Sequence, residues 1–474
     1  MNRIGLGIAG LAVLLSSAAF AAPKYVFLFI GDGMSTPQRM IAEEFSRLTQ
    51  GGELAMNRLP YQANTRTRSA NRIITDSAAA ATAIACGVKT ENGKLGVLPY
   101  GKGRVESVAE VAKRTGKKVG IATTVTIVHA TPAGFYAHRE NRGQYYRIGL
   151  DLIASGFDFF TAGGVYDRYD DKNDPEYRGE LRALAQEAGY KVLRNDFDSW
   201  CALKPGDGKT WSIFGDYGMQ FAIDADGSQP TPAEIVAKGI ELLDGPDGFF
   251  FMFEGGKVDY SGHANDAATN IRDILALDEA VKVALKFQDA HPDETLVVTT
   301  GDHETGGMSM GFMGCGGRFQ VELLAHQKIS VEKFSNDIKQ LIADRKGELT
   351  FDEVQPLLTE KFGLDFSPAV KGGKDSPLRV TKTELKQLRE AFAQDVENVR
   401  KKLRDTTAHD VRRLYVFAQA VKNVVNAHAG IGWSSGAHTA LPTFTTAKGP
   451  GADILVGVVE NADLGQRLKG LLAK

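Results

Sequence analysis

Residues 75–83 read TDSAAAATA, an acid and a hydroxyl set before a run of alanines. Alanine propagates a helix better than any other residue, so Asp76 and Ser77 fall where such a helix begins. Two kinds of work suit them there. A side-chain oxygen at that position caps the free N–H groups of the first turn, and a serine at the positive end of a helix is placed to meet an anionic group. A serine hydroxyl is a weak nucleophile at neutral pH unless a base or a metal ion strips its proton. A chemical role for Ser77 therefore requires partners elsewhere in the chain.

Five other segments supply them. EGGKVDYSGH brings Glu254, Asp259 and His263 into one glycine-rich stretch, DHETGG adds Asp302 and His303, and GAHTALP adds His438. FLFIGDGMS sets Asp32 between two glycines, which let other groups approach closely. Carboxylates and imidazoles in this pattern suit a hard or borderline divalent cation. HATPAGFYAHRENR contributes His129, Thr131, His138 and Arg142. Thr131 offers a hydroxyl ligand, Arg142 a planar fork that matches two phosphate oxygens, and His138 is read as structural. Together these residues meet the needs of phosphate ester hydrolysis, in which two zinc-like ions about 4 Å apart hold the attacking and leaving oxygens of an in-line displacement.

The elements that must carry these residues are legible as apolar runs ending abruptly in glycine or polar chemistry. KYVFLFIGDG, KKVGIATTVTIVHATPAG, GFFFMFEGG and ETLVVTTGDHETGG end in this way, and runs within them such as VFLFI and TLVVTT are apolar without alternation, as strands buried on both faces are. Between them, Ile271, Ile274, Leu277, Val281 and Ala284 recur at spacings of three and four, which stripes one helix face for packing on a sheet. Alternating strand and helix predict an α/β fold with a mostly parallel central sheet and helices on both faces. Ligands in such sheets sit at the carboxyl ends of the strands, where Asp32, Thr131, Glu254, Asp302 and His303 all fall. A strand-like stretch, ADILVGVV, begins at Ala452.

Residues 1–21 have Arg3, an apolar run from Ile4 to Leu15 and an Ala19-Phe20-Ala21 end. This predicts a secretory signal, with the mature chain beginning near Ala22 and acting in the periplasm or outside. No other run reaches the length of a spanning helix. Residues 22–474 read as one catalytic domain, with a helical insertion at about 306–436 that opens a helix on a Thr381–Glu384 capping box. Its stripe continues through Leu385, Leu388, Phe392, Val396, Val399 and Leu403, and a second helix runs from about Val411 to Asn426.

With 56 Lys and Arg against 58 Asp and Glu, the net charge of −2 gives no nucleic-acid signal. Cys86, Cys201 and Cys315 are too few for a disulfide framework and fit no zinc motif. Gly208-Lys209-Thr210 imitates the end of a P-loop, but Leu203 stands where the first glycine belongs. The acidic cluster of Asp167, Asp170, Asp171 and Asp174 reads as a solvated turn.

GDGMS, TDSAAAATAIACGVK, HATPAGFYAHRENR, EGGKVDYSGH, TTGDHETGG and SGAHTA occur in this order over nearly the whole mature chain. By these segments the sequence closely resembles the alkaline phosphatases, secreted metal-dependent phosphomonoesterases. The resemblance implies that Ser77 is transiently phosphorylated, with Arg142 clamping the phosphate and Asp76 orienting that arginine. It implies a first Zn2+ on Asp259, His263 and His438 and a second on Asp32, Asp302 and His303. A Mg2+ would be shared by Asp32, Thr131 and Glu254. His129 and Tyr260 stand where some bacterial members carry aspartate and lysine. The resemblance further implies phosphate monoesters as substrates, inorganic phosphate as product and inhibitor, and a homodimer. Two other readings account for the same ligands: a phosphodiesterase or sulfatase on the same fold, and a periplasmic phosphate or metal binding protein without turnover. The last leaves Ser77 without a purpose.

Overall fold

The computed structural model of the protein describes residues 22–166, 172, 174–368, 376–400 and 416–473. In chain order its strands are β1 (Tyr25–Gly31), β2 (Tyr61–Arg66), β3 (Lys118–Thr123), β4 (Phe159–Ala162), β5 (Tyr190–Arg194), β6 (Lys209–Ile213) and β7 (Phe249–Gly255). They continue with β8 (Thr295–Gly301), β9 (Glu304–Thr305), β10 (Met308–Met310), β11 (Ile431–Trp433), β12 (His438–Thr439), β13 (Thr443–Lys448) and β14 (Gly457–Glu460). Ten of them form one sheet in the order β14-β2-β13-β8-β1-β7-β3-β4-β6-β5. Every pairing in it is parallel except the two made by β13. This is the mostly parallel sheet the alternating pattern predicts.

β1, β7 and β8 are buried along their whole length, as runs without polar alternation must be when helices cover both faces. Along β1 the side chains alternate between two apolar layers. Phe27 and Phe29 enter one, with Ile271, Ile274 and Leu277 of the helix Ala267–Ala290. Val26, Leu28 and Ile30 enter the other, with Ala78 and Ile84 of the helix Ser77–Cys86 and Leu464 and Leu468 of the helix Asn461–Leu472.

Register puts the chemistry in one place. Gly31 is level with Gly255 on one side and Gly301 on the other, and Glu254 is level with Ile30 and Thr123. The residues that leave β1, β7 and β8 therefore emerge side by side at the carboxyl edge of the sheet. A second, smaller pairing completes the arrangement: β9 and β12 run antiparallel with Thr305 opposite His438.

Between 306 and 436 the described residues include the helices Val331–Asp344, Phe351–Phe362, Lys382–Arg400 and Val416–Ala429. The predicted capping box is present: Thr381 N donates to Glu384 Oε2 at 2.8 Å and Glu384 N to Thr381 Oγ1 at 3.2 Å. Phe334, Phe351, Phe392 and Phe417 pack edge to face or tilted, with centroids 5.2 to 6.2 Å apart where they meet. This aromatic cluster is continuous with the apolar layer containing Phe27 and Ile271, so these helices share the sheet's core. Leu403 and residues 411–415 of the predicted helices lie outside the described residues, as do the amino-terminal 21 residues and Asp167, Asp170 and Asp171.

Asp174 accepts hydrogen bonds from Arg147 Nε at 3.0 and 2.9 Å. The expected strand from Ala452 begins later, at Gly457, after a 3-10 turn over Ala452–Ile454. Gly457, at φ +85°, swings the chain into the sheet edge. Lys209 and Thr210 open β6, which rules out a phosphate loop there. All three cysteines are free thiols. No helix among the described residues is long and apolar enough to cross a membrane.

Candidate active site and metal centre

The helix Ser77–Cys86 is buried at every position, which its small side chains allow, and Gly87 ends it at φ +74°. Asp76 is the N-cap, its Oδ1 accepting from Ala79 N at 3.0 Å. Its other oxygen accepts from Gly93 N at 3.0 Å and from Arg142 Nη1 at 3.1 Å. Capping and orientation of the arginine are thus done by different oxygens of one carboxylate. Arg142 Nη2 also lies 3.2 Å from His129 Nε2.

Ser77 Oγ, almost wholly buried, lies 3.1 Å from His303 Nε2. That nitrogen is 3.2 Å from Asp32 Oδ1 and 3.4 Å from Asp302 Oδ2. Asp302 is fixed by its remaining oxygen, which accepts from Gly33 N at 3.1 Å and His303 N at 2.9 Å. Gly33 sits at φ +73°, and a Cβ there would stand 2.8 Å from Thr305 Oγ1. Only glycine fits that approach.

The other predicted ligands gather around the same centre. His438 Nε2 is 3.7 Å from Asp259 Oδ1, and His263 Nε2 is 3.4 Å from Asp259 Oδ2. The His438 ring stacks on His303 at 3.7 Å between centroids. His263 Nδ1 lies 2.8 Å from Gly436 O and His438 Nδ1 3.0 Å from Thr75 O. A carbonyl only accepts, so Nδ1 carries a proton in each ring, which leaves Nε2 as the nitrogen that faces Asp259. On the far side Thr131 Oγ1 donates to Asp32 Oδ2 at 3.3 Å, and His129 Nδ1 lies 3.7 Å from Asp32 and 3.8 Å from Glu254.

Three sets of ligand atoms each fall within 4.8 Å of one another: Asp259, His303 and His438; Asp32, His129 and Glu254; and Asp32, Asp302 and His303. The third is a set expected from sequence. In the first, His303 takes the place expected of His263, which lies beside the set, 3.4 Å from Asp259 Oδ2 and with its ring 5.2 Å from that of His438. In the second, His129 joins Asp32 and Glu254, with Thr131 held against Asp32.

Asp32 Oδ1, His129 Nδ1, Glu254 Oε1 and Asp302 Oδ2 are buried without a hydrogen-bond partner. Buried lone pairs gathered in this way are costly unless a cation lies among them, and this oxygen and nitrogen set suits hard or borderline divalent ions. The charges respond accordingly. Burial, then Asp302, Asp259 and Glu254, push the Asp32 carboxyl well above the usual carboxylate range. Burial likewise raises Asp302 well above it, despite the hydrogen bond from Gly33. Burial and the neighbouring His438 hold the His303 imidazole well below its ordinary value. Asp259 differs: burial pushes it up, but His263, His438 and His303 more than offset this and leave it lowered.

Several supporting residues were not anticipated. Thr305 Oγ1 donates to Asp259 Oδ1 at 2.5 Å and lies 3.3 Å from His303 Nδ1. Thr123 Oγ1 donates to Glu254 Oε2. Glu304, fully buried, accepts from Gln38 Nε2 at 2.5 Å, Met308 N at 3.1 Å, Gly307 N at 3.0 Å and Thr439 Oγ1, which ties β9 to β12. The only sequence signal for Glu304 and Thr305 was their position directly after Asp302 and His303. His138 is structural as expected, with Nδ1 2.8 Å from Gly96 O and Nε2 3.0 Å from Glu110.

A family model described as alkaline phosphatase matches residues 23–473. The chain belongs to the alkaline phosphatase family. It is similar to alkaline phosphatase 4 of Bacillus subtilis (strain 168), with 28% identity over 462 residues, 93% of this chain and 87% of the relative. The Schizosaccharomyces pombe alkaline phosphatase is 26% identical over 94% of this chain and 80% of its own length. Among solved structures, the cold-active alkaline phosphatase of a psychrophilic Shewanella sp. superposes with a TM-score of 0.78 at 25% identity, covering 95% of this chain and 100% of that one. The Thermus thermophilus alkaline phosphatase gives 0.75 at 26% identity, covering 98% and 96%. In this member of the alkaline phosphatase family the three candidate ligand sets lie at the carboxyl edge of the sheet, beside Ser77.

Proposed function

We propose that the protein hydrolyses phosphate monoesters to an alcohol and inorganic phosphate through a phosphoserine at Ser77. The observation that carries this reading is the Ser77 hydroxyl at a helix start, 3.1 Å from His303 Nε2, with Arg142 held beside it by Asp76. A binding protein has no use for a nucleophile in that position.

Asp259, His438 and His263 would hold one Zn2+, Asp32, Asp302 and His303 a second, and Asp32, Glu254 and Thr131, with His129 adjoining, a Mg2+. When bound, such ions neutralise developing charge on oxygen and lower the pKa of hydroxyl groups beside them. The chain's own residues do the rest. The helix start directs Ser77 Oγ and its N–H groups toward the phosphoryl group. Arg142 offers two N–H groups to two phosphoryl oxygens, and Asp76 keeps its guanidinium aimed. Attack by Ser77 Oγ on phosphorus breaks the bond to the alcohol, which leaves with a proton, and water then attacks phosphoserine to restore Ser77 and release inorganic phosphate. The dianion of a monoester, with three terminal oxygens, makes the fullest use of this much positive charge.

The pattern of residues 1–21 supports action in the periplasm or outside, and the family resemblance supports a homodimer. The test is turnover of a monoester, a diester and a sulfate ester by the wild type and by Ser77→Ala. We expect preference for the monoester and near-complete loss in the variant with metal content retained. Preference for either rival ester, or near-full activity without Ser77, would overturn the reading.

A further inference from the structure

Beside the site the surface opens into a cavity of about 940 Å3 whose lining includes Ile73, Ile74, Asp76, Gly93, His263 and His438. His438 stacks on His303, and His303 touches Ser77 Oγ, so the opening is one ring removed from the nucleophile. Most of its lining is polar or small. Ile73 and Ile74 are the large apolar side chains in it, and they are 73% and 47% exposed. Two adjacent isoleucines in water offer apolar area whose burial by a bound group is favourable.

Their exposure does not come from a loose loop. Ser69 N donates to Arg72 O at 3.0 Å and Arg72 N to Ser69 Oγ at 3.1 Å. Asn92 Nδ2 donates to Ile74 O at 3.2 Å, and His438 Nδ1 lies 3.0 Å from Thr75 O. The backbone is thus held before the pair by the Ser69–Arg72 turn and from Ile74 onward by Asn92 and His438. Side chains on a backbone held in this way at the rim of a reaction site meet whatever part of the substrate projects from it. The phosphoryl end is taken by Ser77 and Arg142, so the projecting part is the alcohol.

We propose that Ile73 and Ile74 form an apolar seat for the leaving group, which biases the enzyme toward monoesters of alkyl or aryl alcohols over those of polyols. The inference rests on the phosphomonoesterase reading. The experiment compares hexyl phosphate with glycerol phosphate, both esters of primary alcohols, in the wild-type holoenzyme and in the double variant Ile73→Ser, Ile74→Ser. Taking the ratio of kcat/KM for the two substrates cancels any general effect on the phosphoryl site. We expect that ratio to fall about tenfold, roughly what burial of two methylene groups is worth. Ile73→Leu, Ile74→Leu should restore it. A ratio within twofold of wild type in the serine variant overturns the seat. So does a ratio that falls only together with a drop in sedimentation coefficient, which would give the two side chains to a contact between copies. Failure of the underlying reading looks different: glycerol phosphate would then be turned over equally well by Ser77→Ala, whichever way the ratio moved.

Discussion

Replacing Asp76 by asparagine separates two tasks that the wild-type carboxylate performs at once. Oδ1 caps Ala79 N, whereas Oδ2 receives both Gly93 N and Arg142 Nη1. Asparagine keeps an oxygen for the cap, where it is as good as aspartate, and turns an NH2 toward two donors. The helix should therefore persist while the arginine loses its anchor. Both partners of the pair are mostly buried, with side chains 27% and 20% exposed, so the value of a hydrogen bond to a charged group applies, about 1.5–3 kcal/mol. That corresponds to a loss of roughly 10- to 150-fold in kcat/KM. The assay is a double-mutant cycle of Asp76→Asn and Arg142→Ala on one phosphate monoester, with thermal melting recorded alongside. The double variant should be no worse than Arg142→Ala within about twofold, because Asp76 acts on catalysis through Arg142. Losses that multiply, or a large drop in Tm in Asp76→Asn with kcat/KM intact, would refute the division of labour and return Asp76 to a simple cap.

Three further outcomes are expected. Thr305→Val keeps the buried volume but removes the donor to Asp259, and should weaken Zn2+ binding about 10- to 100-fold in a chelator competition; unchanged affinity would show that the contact orients nothing. Asp273 is buried, accepts from Ala222 N with one oxygen and is pushed up to about 7 chiefly by burial. The fold favours its uncharged form, so wild-type stability should decline as pH rises from about 4 to about 7. Asp273→Asn should recover up to about 4 kcal/mol at pH 9, from roughly three pH units at ~1.4 kcal/mol each, in urea unfolding; an equal gain at pH 4 would sink the explanation. Finally, chelated protein exposes the repulsion among Asp32, Asp302 and Glu254. Since Asp32 and Asp302 are raised, its Tm should climb as pH is lowered from 9 to 6, a slope that metal-loaded protein should lack.

The legible parts of this chain were those where one physical rule acted without competition. Runs such as VFLFI, short, apolar and closed by glycine, fit strands buried on both faces, and in β1, β7 and β8 the residues at or just after the run are Asp32, Glu254 and Asp302. The stripe from Ile271 to Ala284 marked its helix equally clearly. What escaped depended on distant pairing. His303 joining Asp259 and His438 follows from β9 lying against β12, a two-residue ladder with no pattern of its own. Glu304 looked like any acid in a glycine-rich loop until Gln38 and Thr439 were beside it. The exposure of Ile73 and Ile74 leaves no mark in their own types, because isoleucines before a helix occur both buried and bare. The helices between 306 and 436 had their own caps and stripes, but their fusion with the sheet's core is invisible in either.

The joining of β9 to β12 also bears on the order in which the site comes into being. His438 is bonded to the carbonyl of Thr75 across 363 positions of sequence, and Glu304 to Gln38 across 266. A chain still lacking its last few dozen residues can have its central strands in place and yet hold an unfinished set of ligands. Of the three ligand sets only the one with Asp259 and His303 waits for His438, and an ion bound there would tie the first and last parts of the chain together. A purified sample that carries its full complement of metal has, by that fact, closed.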